Sequence, residues 1–501
     1  MNRLGFATIA LLSLLALGTK FVQGQASNPF YRGIQLPDGK HFPASQEALL
    51  RMRDAVDGPA IAAMRSHAWD LFAGLTGKTP VWETWYTKCD VGLAKCAGAP
   101  FERKPRVRRL LRSFEVPVQF LDGLPSRVSG GIVPSNALAL DSDALKEAIR
   151  QLAVAFRQHP QFASVLFNQE SRDHILKACL HPSASPVLAG TTDCSPKLDG
   201  TGRVQEFERG SVALKMVWES LPPDGELEIW NSSLWNKLQD PTKEKGFKLK
   251  GDFGLSVPID TSSRKTCEDR DYIGEKVPLS CFYYIPIITE EDRMQGSIVD
   301  SGVQKGWFLV LVAMHVTTKE IPEWTWATFW WDIHGVSDSR AAGRPRDIAV
   351  QWRHFLMETT LSGMTPSEKD GGPKIVFNPY LETQVTTTDG VPNGIISNCL
   401  QCHSRAAYIA STEAHRVDGY DEGILSRDGN TLAVTANTRR YPDPYYFDHR
   451  VRTDFLWTVP NAFSSDVQSL RIMLSIQLHD LQELEEQRLK QLRNPTGEPK
   501  K

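Results

Sequence analysis

The stretch GWFLVLVAMHVTTKEIPEWTWATFWWDI, residues 306–333, constrains the fold more than any other part of the chain. Its apolar runs are rich in β-branched and aromatic residues and are separated by a short polar break with a proline, which is how strands bounded by turns read. SVALKMVW, ELEIW and CFYYIPIIT have the same texture, so a largely antiparallel sheet is expected between about residues 203 and 335. Alternation places Trp324, Trp326 and Trp330 on one side of the last strand and Phe329 and Trp331 on the other. Large rings on both faces imply a strand covered on both sides. In the preceding strand, His315 interrupts an otherwise apolar run. Steps of two put Ala313, Leu311 and Leu309 on its face and Met314 on the opposite one, so His315 points inward. A buried imidazole needs a partner, either a metal or a hydrogen-bonding neighbour in the core.

Ahead of the sheet the chain reads as helical. Ser45 is a plausible N-cap for SQEALLRMRDAVDGPAIAAMRSHAWDLFAGL, and Pro59 should split that segment in two. DSDALKEAIRQLAVAFRQ and SRDHILKACL form a second helical block. A loop-rich segment follows the sheet, and an amphipathic helix is expected from about Ser465 to Arg493. The expected fold class is therefore α+β. Its parts are an N-terminal segment at 1–24, a mainly helical region at 25–200, a β-rich region at 201–340 and a final region at 341–501.

A composition of 41% hydrophobic and 23% charged residues is that of a globular chain with a real core. The formal charge of -2 offers no field of one sign for nucleic acid or an anionic membrane surface. The basic run RKPRVRRLLR reads as a solvated face, with a docking surface for an acidic partner as the alternative. At the N-terminus a single basic residue, Arg3, precedes an apolar run from Phe6 to Leu17 and then small and polar residues. That is the layout of an export signal cleaved before Gln25 or Ser27. Cutting at Gln25 removes Arg3 and Lys20, leaving 55 basic and 59 acidic residues, or -4. The apolar run is short for a bilayer span, and no later segment reads as transmembrane. A periplasmic or secreted location is the expectation. Six of the eight cysteines fall into three sequence-local pairs, Cys89 with Cys96, Cys179 with Cys194 and Cys267 with Cys281. Such pairs suit disulfides in an oxidising compartment, with buried thiols as the alternative.

The other two cysteines stand in SNCLQCHSRAAY, where Cys399 and Cys402 are followed directly by His403. Two thiols at this spacing can add across the vinyl groups of haem, and the adjacent histidine then supplies the iron's proximal ligand. A zinc knuckle would need more ligands at the usual spacings, and none lies near in sequence. A thioredoxin-like redox pair would not require the histidine. A plain disulfide between Cys399 and Cys402 is the remaining reading. After the motif, HSRAAYIAST reads as a helix.

Cys399, Cys402, His403 and the export signal together resemble exported single-haem c-type cytochromes. More loosely, the His-bearing and Trp-rich strands upstream of one haem motif resemble large bacterial cytochrome c domain proteins. The resemblance implies one covalent haem c and a periplasmic setting, and it supplies no reaction. Small cytochromes of this kind carry a methionine ligand on a loop after the motif. Here only Met473 follows His403, within the expected terminal helix. His315 is the candidate sixth ligand. His334 and Met473 are weaker candidates, and His415, His449 and His479 are further histidines after or near the motif. The Trp-rich strand could line the haem.

Three function classes follow: an electron-transfer protein working with a redox partner protein or a small donor or acceptor, a haem enzyme of peroxidase or oxygenase type, and a haem-based sensor of a small ligand. The chain is several times longer than a simple carrier needs. However, it shows no phosphate loop, no HExxH, no nucleophile elbow and no second haem motif. Arg172 and His174 could assist peroxide chemistry, or they could belong to a solvated helix face. Electron transfer is the preferred reading, with no catalytic residues assigned.

Overall fold

A computed structural model describes residues 30–55, 58–94, 110–115, 161–181, 195–229, 255–262, 265–295, 298, 303–361, 376, 378–381, 399–404, 406–409 and 450–463. The fold is a mixed α+β one. Helix α1 spans Gln46–Asp54, and Ser45 caps it by accepting a hydrogen bond from the Ala48 amide at 3.4 Å. The chain turns extended at Ala55 and resumes as α2, Gly58–Thr76. Pro59 sits in the first turn of α2, where its missing N–H costs no helical bond.

The centre is a seven-stranded sheet. Its main path runs β1 (Tyr86–Thr87), β2 (Gln161–Phe167), β3 (Val212–Leu221), β8 (Phe308–Thr318), β9 (Thr325–Trp331) and β10 (Phe355–Thr360), with β7 (Tyr284–Pro286) also paired to β8. Every pairing in it is antiparallel, as the strand texture predicts. β4 (Glu226–Ile229), β5 (Leu255–Asp260) and β6 (Val277–Pro278) form a small second sheet. β11 (Ala407–Ile409) and β12 (Arg450–Arg452) form a hydrogen-bonded pair. The region from 25 to 200 is not only helical, since it contributes β1 and β2 to the central sheet.

All seven residues of β9 are buried, so this strand is covered on both faces. One face carries Met216, Met314, Phe329 and Met357 in register and packs against α2. There Phe72 stacks on Phe329 with centroids 4.3 Å apart, and Trp69 meets the same ring edge-on at 5.5 Å. The other face carries Phe167, Ala213, Thr317 and Trp326 in register. A second core cluster forms on it, with Trp324, Val451, Leu456 and Val459. Trp330 shares this face by alternation but packs with the larger cluster.

One face assignment from the sequence fails. Val217 pairs with Ala313 but Trp218 pairs with Leu311, so the register skips Val312. Such a bulge inserts one residue and moves everything beyond it to the other face. His315 therefore shares a face with Ala313, as expected, but not with Leu311 and Leu309.

Cys267 and Cys281 are joined by a disulfide. Cys89 and Cys179 are also disulfide-bonded, while their expected partners Cys96 and Cys194 lie outside the described residues. So do the N-terminal segment 1–24, the stretch DSDALKEAIRQLAVAFRQ, most of the basic run and the expected terminal helix. Among the described residues, no helix is long and apolar enough to cross a membrane.

Candidate functional site

CLQCH is itself a short helix, Cys399–His403, docked on the Trp326 face of the sheet. Leu400 anchors it in the second core cluster, and Cys399 packs half-buried against that cluster. Among the described residues of HSRAAYIAST, the expected helix is replaced by a strand at Ala407–Ile409. The chain leaves the helical path after His403 and enters β11, with the Ala406 carbonyl accepting from the Thr453 amide at 2.9 Å. Pairing with β12 satisfies backbone groups that a continued helix would have used within itself.

His403 is half-buried, and its ring centroid lies 4.3 Å from that of Trp326. Its Nδ1 lies 2.7 Å from the carbonyl oxygen of Phe455. A carbonyl can only accept, so Nδ1 carries a proton in this contact. Metal-ligating histidines are commonly oriented in this way, by donating the other ring N–H to a carbonyl.

The carbonyl belongs to a tight turn. Asp454 and Phe455 both have left-handed backbones, with φ of 46° and 69°. The turn is closed by Leu456 N donating to the Thr453 carbonyl at 3.1 Å and by Thr453 Oγ1 donating to the Leu456 carbonyl at 3.0 Å. Non-glycine residues hold such conformations only where surrounding contacts over-determine them.

The structure brings His315 to the same sheet face as Trp326. It pairs with Lys215 on β3 and Thr328 on β9, one row from the Thr317–Trp326 pair, and it is half-buried. His334 does not share the site. It follows the far end of β9, and at ~3.3 Å per residue the strand carries the chain well away from Trp326. There its amide donates to Asp332 Oδ1 at 2.8 Å. Met473, His415, His449 and His479 lie outside the described residues, as does the side chain of Cys402.

Arg172 and His174 are not on a solvated face, being 6% and 4% exposed. His174 Nε2 donates to the Gln205 carbonyl at 3.0 Å, its ring lies 4.3 Å from that of Phe207, and burial lowers its pKa. The Arg172 guanidinium lies over the Tyr86 ring. These two residues belong to the core behind the site.

Sequence reasoning missed the Phe455 carbonyl, because every residue carries one and this one lies 52 positions from His403. It also missed Lys319 and Asp454, whose buried ion pair stands beside the turn at 2.8 Å.

Among the described residues, Cys267, Cys281 and His354 place ligand-type atoms within 4.8 Å of one another. With the two sulfurs joined as a disulfide, no thiolate is available there, and the group reads as part of the core. No protein-family model matches the chain, and neither a curated protein nor a solved structure does.

Proposed function

We propose that the chain is an exported mono-haem c protein that carries single electrons between redox partners. The observation that supports this most is the state of His403. It is the histidine of a Cys-x-x-Cys-His segment, and its Nδ1 is held by a backbone carbonyl, so that Nε2 is the ring nitrogen that would meet an iron. The donor set suits the group: Cys399 and Cys402 for the thioether bonds, His403 for the iron and Trp326 as an aromatic wall. When bound, haem c supplies an iron that cycles between the ferric and ferrous states.

The chain's own residues would set the terms of that cycle. His403, fixed in one tautomer, gives the iron a ligand of defined orientation and raised basicity. Trp324 and Trp326, 0% and 4% exposed, keep water from that side, which favours the less charged state of the centre. His315, on the same sheet face as Trp326, would be the candidate for the sixth position. With both histidines holding the iron, little would reorganise on electron transfer, as a carrier requires and an enzyme or a sensor does not.

Optical spectra of the ferric and ferrous protein test this reading. The expected result is a low-spin spectrum unchanged by CO or peroxide, with His315→Ala converting it to a form that binds CO. A high-spin ferric spectrum that responds to peroxide would favour a haem enzyme. A ferrous protein that binds CO reversibly without turnover would favour a sensor.

A further inference from the structure

The strongest undescribed feature near the motif is a charged pair where charges are costly. Lys319, at the end of β8, is 4% exposed, and its ammonium contacts both carboxylate oxygens of Asp454, at 2.8 and 2.9 Å. It also donates to the Pro322 carbonyl at 2.7 Å and lies over the Trp324 ring, 5.5 Å from its centroid. Asp454 in turn accepts from the Phe207 amide at 2.8 Å. The Lys319 backbone is pinned on both sides, its N–H donating to Ser211 and its carbonyl accepting from Gly210. Glu206, at 3.8 Å, is a further carboxylate near the ammonium.

Two observations tie this pair to the motif. Asp454 immediately precedes Phe455, whose carbonyl orients His403. In addition, of the six non-glycine residues with positive φ among those described, Trp324, Asp454 and Phe455 all gather here. A buried pair of this kind is weak as a source of stability, because desolvation offsets the attraction. It is strong as a device for holding one geometry. Left-handed backbone at Asp454 and Phe455 needs such a device.

We infer that Lys319 and Asp454 are positioning residues for His403, clamping the 453–456 turn to the central sheet so that the Phe455 carbonyl holds the ring in its Nδ1–H tautomer against Trp326. The motif side of the turn is tied by the Ala406–Thr453 backbone bond, and the sheet side by Lys319. The two ties together fix where a ligand nitrogen points relative to the sheet. Its use for iron rests on the haem reading, but the clamp exists without the haem.

The test is therefore made on the full chain produced without haem maturation, labelled with ¹⁵N-histidine, with the His403 signals assigned by loss in His403→Gln. At neutral pH the unsubstituted chain should show His403 as a single Nδ1–H tautomer with an Nε2 lone pair. In Lys319→Met and Asp454→Asn the signals should move to a mixture with the Nε2–H form, because the ring's tautomer follows the bond that its other nitrogen makes. A folded variant that keeps the single Nδ1–H tautomer overturns the inference. An unsubstituted chain that shows the Nε2–H form overturns it even if neither variant folds. Haem attachment, measured separately by mass on matured protein, reports on the proposed function alone: its failure with a correct tautomer would sink the haem reading and leave the clamp.

Discussion

At the residue scale, the consequential atoms are single polar groups held inside apolar surroundings. Asp332 is the clearest. It is fully buried at the end of β9, and Oδ2 finds no hydrogen-bond partner among the described residues. Burial pushes its carboxyl up to about 7, against which the His334 amide and Arg340 act only in part. An unfolded aspartate titrates near about 3.9. Because the folded value is the higher, the native state holds the proton more tightly, and this contribution to stability is complete below about pH 4 and lost as pH rises through 7. Asp332→Asn, which keeps the acceptor for His334 and never ionises, should be near neutral at pH about 4. Above pH about 7 it should raise stability on the order of 2–4 kcal/mol. Unfolding by urea at several pH values checks this, and a variant with the parent's pH slope would contradict it. His403 belongs to the same scale. Cys-x-x-Cys-His marks it as a candidate ligand, whereas the Phe455 carbonyl that holds its Nδ1 left no mark in the sequence, since backbone geometry is not written in side-chain identity.

At the element scale, β8 and β9 organise the molecule, and their apolar, β-branched and aromatic runs made them legible as strands. The bulge that skips Val312 was not, because one extra residue changes the register without changing the composition. The face of His315 survived because it lies on the same side of the bulge as Ala313. A helix was expected to begin at His403, whereas the observed short helix ends there and the chain goes on into β11. β11 is set by pairing with β12, which the chain reaches only some 40 residues later. Packing of α2 on the sheet is concentrated at Phe72, which meets Phe329, Phe355 and Trp352 and is fully buried. Phe72→Ala should cost about 3–5 kcal/mol in unfolding free energy, as a large buried ring removed from a tight aromatic cluster does. A loss below about 1 kcal/mol would mean that α2 is not seated there.

At the scale of the whole molecule, the chain places the Cys399–His403 segment on one face of an antiparallel sheet and a helical, aromatic core on the other. The α+β class was readable from the change of texture near residue 200. What was not readable is that β1 and β2 come from the helical side of that boundary, because long-range pairing is decided by the tertiary context of a strand. The disulfide joining Cys267 and Cys281 is one of the expected sequence-local pairs, and Cys89 and Cys179 are disulfide-bonded as well. The central claim is that the thiols of Cys399 and Cys402 carry haem. The most direct measurement is the intact mass and the alkaline pyridine spectrum of the denatured chain, produced in cells that export it alongside the haem c maturation machinery. The account predicts one haem per chain that survives denaturation and is lost from the Cys399→Ser, Cys402→Ser double variant. A chain that leaves those cells at its apoprotein mass, with the two thiols oxidised to each other or holding zinc, would contradict it.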